Sequence, residues 1–176
     1  MERTYRKRVT SNDLVSFCVS VKETDLWVSA DLNLEDQARD LVFECRQQIE
    51  SYINANPGFA ACLTPYPKDP FAAPIVKEMI AATSSLGVGP MAAVAGAISQ
   101  YVAQGLLRLT GQVIVENGGD IYLRTNRPAI VSILAGPSPL SGKFGLSIPV
   151  RQMPLGVCSS SARVGHSLSL GVADVC

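Results

Sequence analysis

Charge is scarce in these 176 residues. Asp, Glu, Lys and Arg make up 17% of the chain, against roughly 25% in an average soluble protein. The charge present is balanced, with 15 Lys+Arg against 15 Asp+Glu. A nucleic-acid binder carries a basic surplus, because phosphate contacts dominate its affinity, so nucleic acid is not an expected partner. The one basic stretch, Met1 to Arg8, is short and lacks glycine; it reads as a solvated edge strand. No CxxC pair occurs, and the five cysteines (Cys18, Cys45, Cys62, Cys158 and Cys176) are odd in number and far apart. That excludes a zinc-ligand pattern and a disulfide framework, and it fits buried thiols in a reducing, cytoplasmic compartment. The N-terminus has no apolar run of the signal-peptide kind. Residues 79–107 hold no charge at all, but Ser84-Ser85 and Gly87-Val88-Gly89-Pro90 interrupt them. A membrane-spanning helix needs about 20 predominantly apolar residues, so this stretch reads as a buried helix, with no membrane partner expected.

The length fits one domain, 1–176, able to bury roughly 70% of its unfolded surface. Mean hydropathy is +0.21, which calls for a large core or for a subunit interface; a homo-oligomer is the second of these readings. Residues 3–9, 14–21 and 25–30 read as strands. Asn33 reads as a helix cap, with Asp36 three residues on. Leu34, Ala38, Leu41, Val42, Cys45, Ile49 and Ile53 then recur at helical spacing, to an end near residues 54–56. Four prolines between 65 and 74 mark an extended loop. Pro74 suits the first turn of a helix to about 86. Gly89-Pro90 opens another, over 91–107, whose alanines and Gly96 give it a thin waist; it is expected to be the central, most buried helix, with Gly96 against another backbone. Short strands follow at 113–116, 121–124, 129–134, 145–150 and 155–158. Strands, then helices, then strands predict an α+β fold: a mostly antiparallel sheet with about three helices packed on one face.

The stretch VIVENGGDIYL, residues 113–123, sets two glycines between two strands. Asn117-Gly118-Gly119-Asp120 is adequately explained as a hairpin turn. It also has the chemistry of a site. Glycine lets a ligand approach the backbone, its amides can cradle phosphate, Asp120 can accept from a ribose hydroxyl or hold a divalent cation, and Asn117 can pair with a polar ring edge. Gly89 precedes a helix N-terminus, where anions bind, although Pro90 removes one amide; a tight turn explains it as well. His166 is the only histidine. A lone histidine is more often structural than catalytic, yet this one lies in a hydroxyl-rich loop with Ser160, where functional residues concentrate. Cys158 and His166 can be drawn as nucleophile and base, but no third group orients them, and Cys158 at a strand end is expected to be buried.

Three segments in order, GPMAAVAGAISQYVAQGLL, VIVENGGDIYL and GVCSSSARVGHSLSLGVADV, resemble the ApbE-like superfamily, and in particular its branch of small proteins. The resemblance covers most of the chain and is firmest over 87–174. Its better-understood members are FAD:protein FMN transferases, which move FMN from FAD to a hydroxyl of a target protein with magnesium. The resemblance implies a flavin-contacting segment at Asn117, Gly118, Gly119 and Asp120, with Gly89, Ser160 and His166 as further cofactor-binding residues. It implies FAD as cofactor, with a flavin nucleotide and a target protein as partners. Departures are plain. Ala95, Ala97 and Gln100 stand where transferases have Lys, Tyr and Asp, and Ser-Leu-Ser-Leu-Gly follows His166 in place of Ile-Asp-Pro-x-Thr-Gly. The metal-binding segment, Ala-Asp-Ala-x-x-Thr-Ala-like, is expected beyond Cys176, so magnesium is expected only with such a C-terminal segment; Ala173-Asp174 precedes it. No catalytic or metal-ligating residue is assigned. Three functions stay open: FMN transfer, a non-catalytic binding or structural protein that kept the fold, and a Cys158/His166 hydrolase.

Overall fold

The computed structural model describes Arg6, residues 13–134 and residues 138–158. Ser160, His166, the Ala173-Asp174 pair and all of the expected strand at 3–9 except Arg6 lie outside the described residues.

The architecture is α+β. Strands β1 (Val15–Val21), β2 (Thr24–Ala30), β3 (Val113–Asn117), β4 (Asp120–Arg124) and β7 (Leu155–Val157) form a five-stranded sheet in the order β1-β2-β3-β4-β7. Every pairing in it is antiparallel. Strands β5 (Ala129–Ser132) and β6 (Gly145–Ile148) form a separate two-stranded ribbon. The expected strands at 129–134 and 145–150 are thus shorter than the sequence suggested.

Side chains alternate across a strand, and β1 shows the consequence. Phe17, Val19 and Val21 are buried while Ser16, Cys18 and Ser20 are exposed. The buried face continues through Leu26, Val28 and Ala30 on β2 and Val113 and Val115 on β3. Helices α1 (Glu35–Ala55) and α4 (Val94–Leu106) pack against it, and α3 (Pro74–Ser84) packs on α1 and α4 within the same core. Ala38, Val42, Cys45 and Ile49 are the buried stripe of α1, as the helical spacing predicted. The N-cap is Leu34, one place beyond the expected Asn33, whose Oδ1 accepts the Glu35 N–H at 3.0 Å.

Three expectations need correction. A short helix, α2 (Gly58–Ala61), follows Pro57, where the sequence suggested only a terminator; it seats Phe59 edge-on between Tyr52 and Tyr66, at centroid distances of 4.9 and 5.1 Å. Residues Pro90–Ala93 form a 3-10 turn leading into α4. Helix α4 is central, touching α1, α3, β3 and β4, but it is not the most buried: five of its 13 residues are buried against five of 11 in α3. Its small residues Ala95, Gly96 and Ala97 are only half-buried. Gly96 faces no backbone; the nearest atom to a Cβ built there is the Asp120 Oδ1, at 3.6 Å.

Candidate functional site at the β3–β4 turn

Strands β3 and β4 pair with Asn117 opposite Asp120, so only Gly118 and Gly119 connect them. Their φ angles are +64° and +106°. Positive φ at both central positions is the signature of a type I′ turn, whose twist matches that of the flanking strands. The pairing puts Asn117 and Asp120 on the same sheet face as Val115 and Tyr122, the face that carries the helices. Both therefore point toward the first turns of α4.

The contacts agree. Asn117 Nδ2 donates to the Ala95 carbonyl at 3.2 Å. The buried Ser99 hydroxyl lies 3.0 Å from the Ala95 carbonyl and 3.1 Å from the Asp120 carbonyl, donating between them. The turn is thus tied to α4 by side chains of both elements. On the opposite sheet face, Glu116 Oε1 accepts the Gly119 N–H at 2.7 Å. That amide is already taken, so of the two glycine amides proposed to cradle phosphate, the one at Gly119 is engaged by the protein itself.

The Asp120 side chain is different. It is half-buried, and among the described residues its carboxylate has no hydrogen-bond partner. Burial pushes its pKa up to about 6, and the nearby Glu116 carboxylate adds to the shift. Burial disfavours the charged form, and a like charge does the same. A carboxylate with a raised pKa is a candidate for a functional position. The turn itself is open: among the described residues a Cβ built on Gly119 meets nothing within 4 Å.

Elsewhere the expected residues separate. Gly89 packs onto the chain at Cys62, where an added Cβ would lie 1.8 Å from the Cys62 carbonyl oxygen. Close backbone approach accounts for that glycine. Cys158 is exposed, not buried. Ser160 and His166 lie outside the described residues. Among the described residues no group of three or more His, Cys, Asp and Glu side chains could hold a metal ion, and no helix is long and apolar enough to cross a membrane. A groove on α1 lined by Glu44, Gln48, Tyr52 and Phe71 contains none of the predicted residues. Its Tyr52 hydroxyl is pushed up to about 12, away from neutrality, by burial and a bond to Asp69. The sequence reading missed Glu116 and Ser99. The signal for Glu116 was there: an acidic residue inside an otherwise apolar strand.

A protein-family model described as AbpE bacteria matches residues 6–176. The chain belongs to that family. Several UPF0280 proteins are similar over most of it. The one from Methanocella arvoryzae is 41% identical over 155 residues, covering 88% of this chain and 63% of the relative. That of Methanosphaerula palustris is 44% identical over 139 residues, covering 78% and 58%. That of Methanococcus vannielii is 39% identical over 166 residues, covering 92% and 67%. The AbpE-family chain thus spans about three fifths to two thirds of the length of these relatives. Neither the family description nor the relatives' name states a reaction.

Proposed function

We propose that this AbpE-family chain carries a flavin- or nucleotide-binding site at the β3–β4 turn. The observation that carries the reading is Asp120: a half-buried carboxylate with no hydrogen-bond partner among the described residues, set against Gly96 of α4. The residues fit part of a nucleotide site. Asp120 can accept from a ribose hydroxyl or contribute one ligand to a divalent cation, while Asn117 is spent on the Ala95 carbonyl through its Nδ2. Ser160 and His166 complete the proposed set by resemblance.

The finer form of the proposal is transfer of FMN from FAD to a protein hydroxyl in the cytoplasm. There the hydroxyl oxygen forms a bond to the FMN phosphorus, the pyrophosphate bond breaks, and AMP leaves. Magnesium, when bound, would supply charge stabilisation at the pyrophosphate. Asp120 assists cation or ribose binding and His166 orients the phosphate or the acceptor. The second reading, a binding protein without the chemistry, is favoured by Ala95, Ala97 and Gln100 at positions where the transferases carry reactive side chains. Titrating the chain with FAD, with and without magnesium, and following flavin fluorescence tests the site. Saturable binding that Asp120→Asn weakens supports it; no binding by the unaltered chain removes it. Incubation with a hydroxyl-bearing acceptor protein then separates transfer from binding alone.

A further inference from the structure

The β5–β6 ribbon carries an apolar side out of the core. Its register sets Ala129 with Ile148 and Val131 with Leu146 on that side, and Ile133 and Phe144 extend it, the Ile133 N–H bonding the Phe144 carbonyl at 3.0 Å. Exposure rises along it, from 7% at Ile148 to 50% at Leu146 and 60% at Phe144. Strands β5 and β6 pack chiefly on each other, and a lone two-stranded ribbon is only marginally stable in water. The charge around it has one sign. Residues 121–158 include Arg124, Arg127, Lys143 and Arg151 but no Asp or Glu. Arg127 is paired with Asp13 at 2.7 Å. Lys143 and Arg151 are exposed and have no ion-pair partner among the described residues.

A surface of opposite charge lies on α1. Asp36, Asp40, Phe43, Glu44, Gln47 and Ser51 recur at helical spacing on the side away from the buried stripe, and all are exposed. That side holds three acids and no cation. Arg39 and Arg46 lie off it, paired with Glu35 and with Glu23 and Glu50. Phe43 is 55% exposed, and Phe71, which lines the adjoining groove with Glu44 and Gln47, is 95% exposed. A solvated helix face accounts for the acids but not for two uncovered aromatic rings; apolar surface rimmed by polar groups marks an interaction site. We propose that the apolar side of the ribbon seats on the outward side of α1 in a second copy of this chain. Charge decides the pairing. Two ribbons face to face would set Lys143 and Arg151 against their own copies with no acid to offset them. Two α1 faces would oppose their acids in the same way. Ribbon against helix brings cations to acids, and like-charge juxtaposition suppresses the other pairings. The contact therefore joins two different patches, as heterologous interfaces do, and covers Phe144 and Leu146 with Phe43 and Phe71.

Sedimentation velocity of the full chain over a range of concentrations tests this. Species above the 18.7 kDa monomer should grow with concentration and recede as salt is raised. Two variants reverse charge at exposed positions only: Lys143→Glu with Arg151→Glu on the ribbon side, and Asp36→Lys with Asp40→Lys on α1. Each alone should weaken association about tenfold or more. Mixed in equal amounts, the two should associate as the unaltered chain does, because every ribbon then meets an α1 of opposite charge. Phe144→Ser, which changes no charge, should weaken association at every salt concentration. An unaltered chain that stays at 18.7 kDa throughout overturns the proposal and assigns the ribbon to a different partner. Association untouched by the α1 variant, as ribbon-to-ribbon contact would give, overturns it too, and so does a mixture that associates no better than its components.

Discussion

At the scale of single residues, burial sets the charge of Asp120 against folding. Its pKa is raised to about 6 from an ordinary 3.8. The folded state holds the proton more tightly than the unfolded chain does. Its favourable contribution is therefore complete below about pH 4 and is lost as pH rises through 6. Asp120→Asn cannot ionise and should escape that loss. Urea unfolding is expected to show the two proteins alike near pH 4, with the variant the more stable at pH 8. A variant that is less stable at pH 8 would mean that the carboxylate is stabilised in its charged form. Gly89 offers a different test. Gly89→Ala puts a methyl 1.8 Å from the Cys62 carbonyl oxygen, which only a backbone shift can relieve, so a loss of about 3 kcal/mol or more is expected by thermal unfolding. The hairpin at Asn117 to Asp120 was legible in the sequence, because Gly-Gly between two strand-like runs dictates a two-residue turn. The close approach behind Gly89 was not, since Cys62 is distant in sequence and no local pattern records it.

At the scale of elements, α4 behaves differently from what its composition suggests. A helix with Ala95, Gly96 and Ala97 reads as one that another backbone crosses, yet that end faces the β3–β4 turn and is half-buried. Gly96→Ala should then fit, its Cβ in ordinary contact with Asp120. Helix propensity predicts a gain of up to about 1 kcal/mol, read as a higher unfolding midpoint. A marked loss would show a tighter interface than the one described. Helix α1 was read correctly because Ala38, Val42, Cys45 and Ile49 repeat at a helix's own period, and periodicity reports which face is buried. It does not report what the buried face meets. That is why α2 and the half-exposure of α4 escaped a reading of the sequence alone, and why β5 and β6 could be seen as strands without being seen to leave the main sheet.

At the scale of the whole molecule, burial sorts the described cysteines. Cys45 lies in the helix–sheet core, and burial pushes its thiol up to about 12. Cys18 and Cys158 are exposed and Cys62 is intermediate. The thiolate is the reactive form, so brief alkylation of the native protein at pH 8, mapped by peptide mass, should modify Cys18 and Cys158 first and spare Cys45 until denaturant is added. Early labelling of Cys45 would contradict the core described. Apolar exposure is also unevenly spread. Ile130, Leu140, Phe144 and Leu146 of the β5–β6 ribbon and its connection are each at least 50% exposed. The low charge content of the sequence is thus answered by the core and by this ribbon together.

The two-residue turn makes chain length itself a determinant at Asp120. Strand faces alternate with a period of two. With Asn117 and Asp120 directly opposite each other, β4 is locked into one of two possible phases. Deleting one glycine, or inserting one residue, while β3 and β4 kept their hydrogen-bonding frame would rotate Asp120 to the side now held by Glu116. Adding two residues would restore its side under a looser loop. The site is therefore governed by parity: an even change in length leaves the carboxylate beneath α4, and an odd one turns it through the sheet.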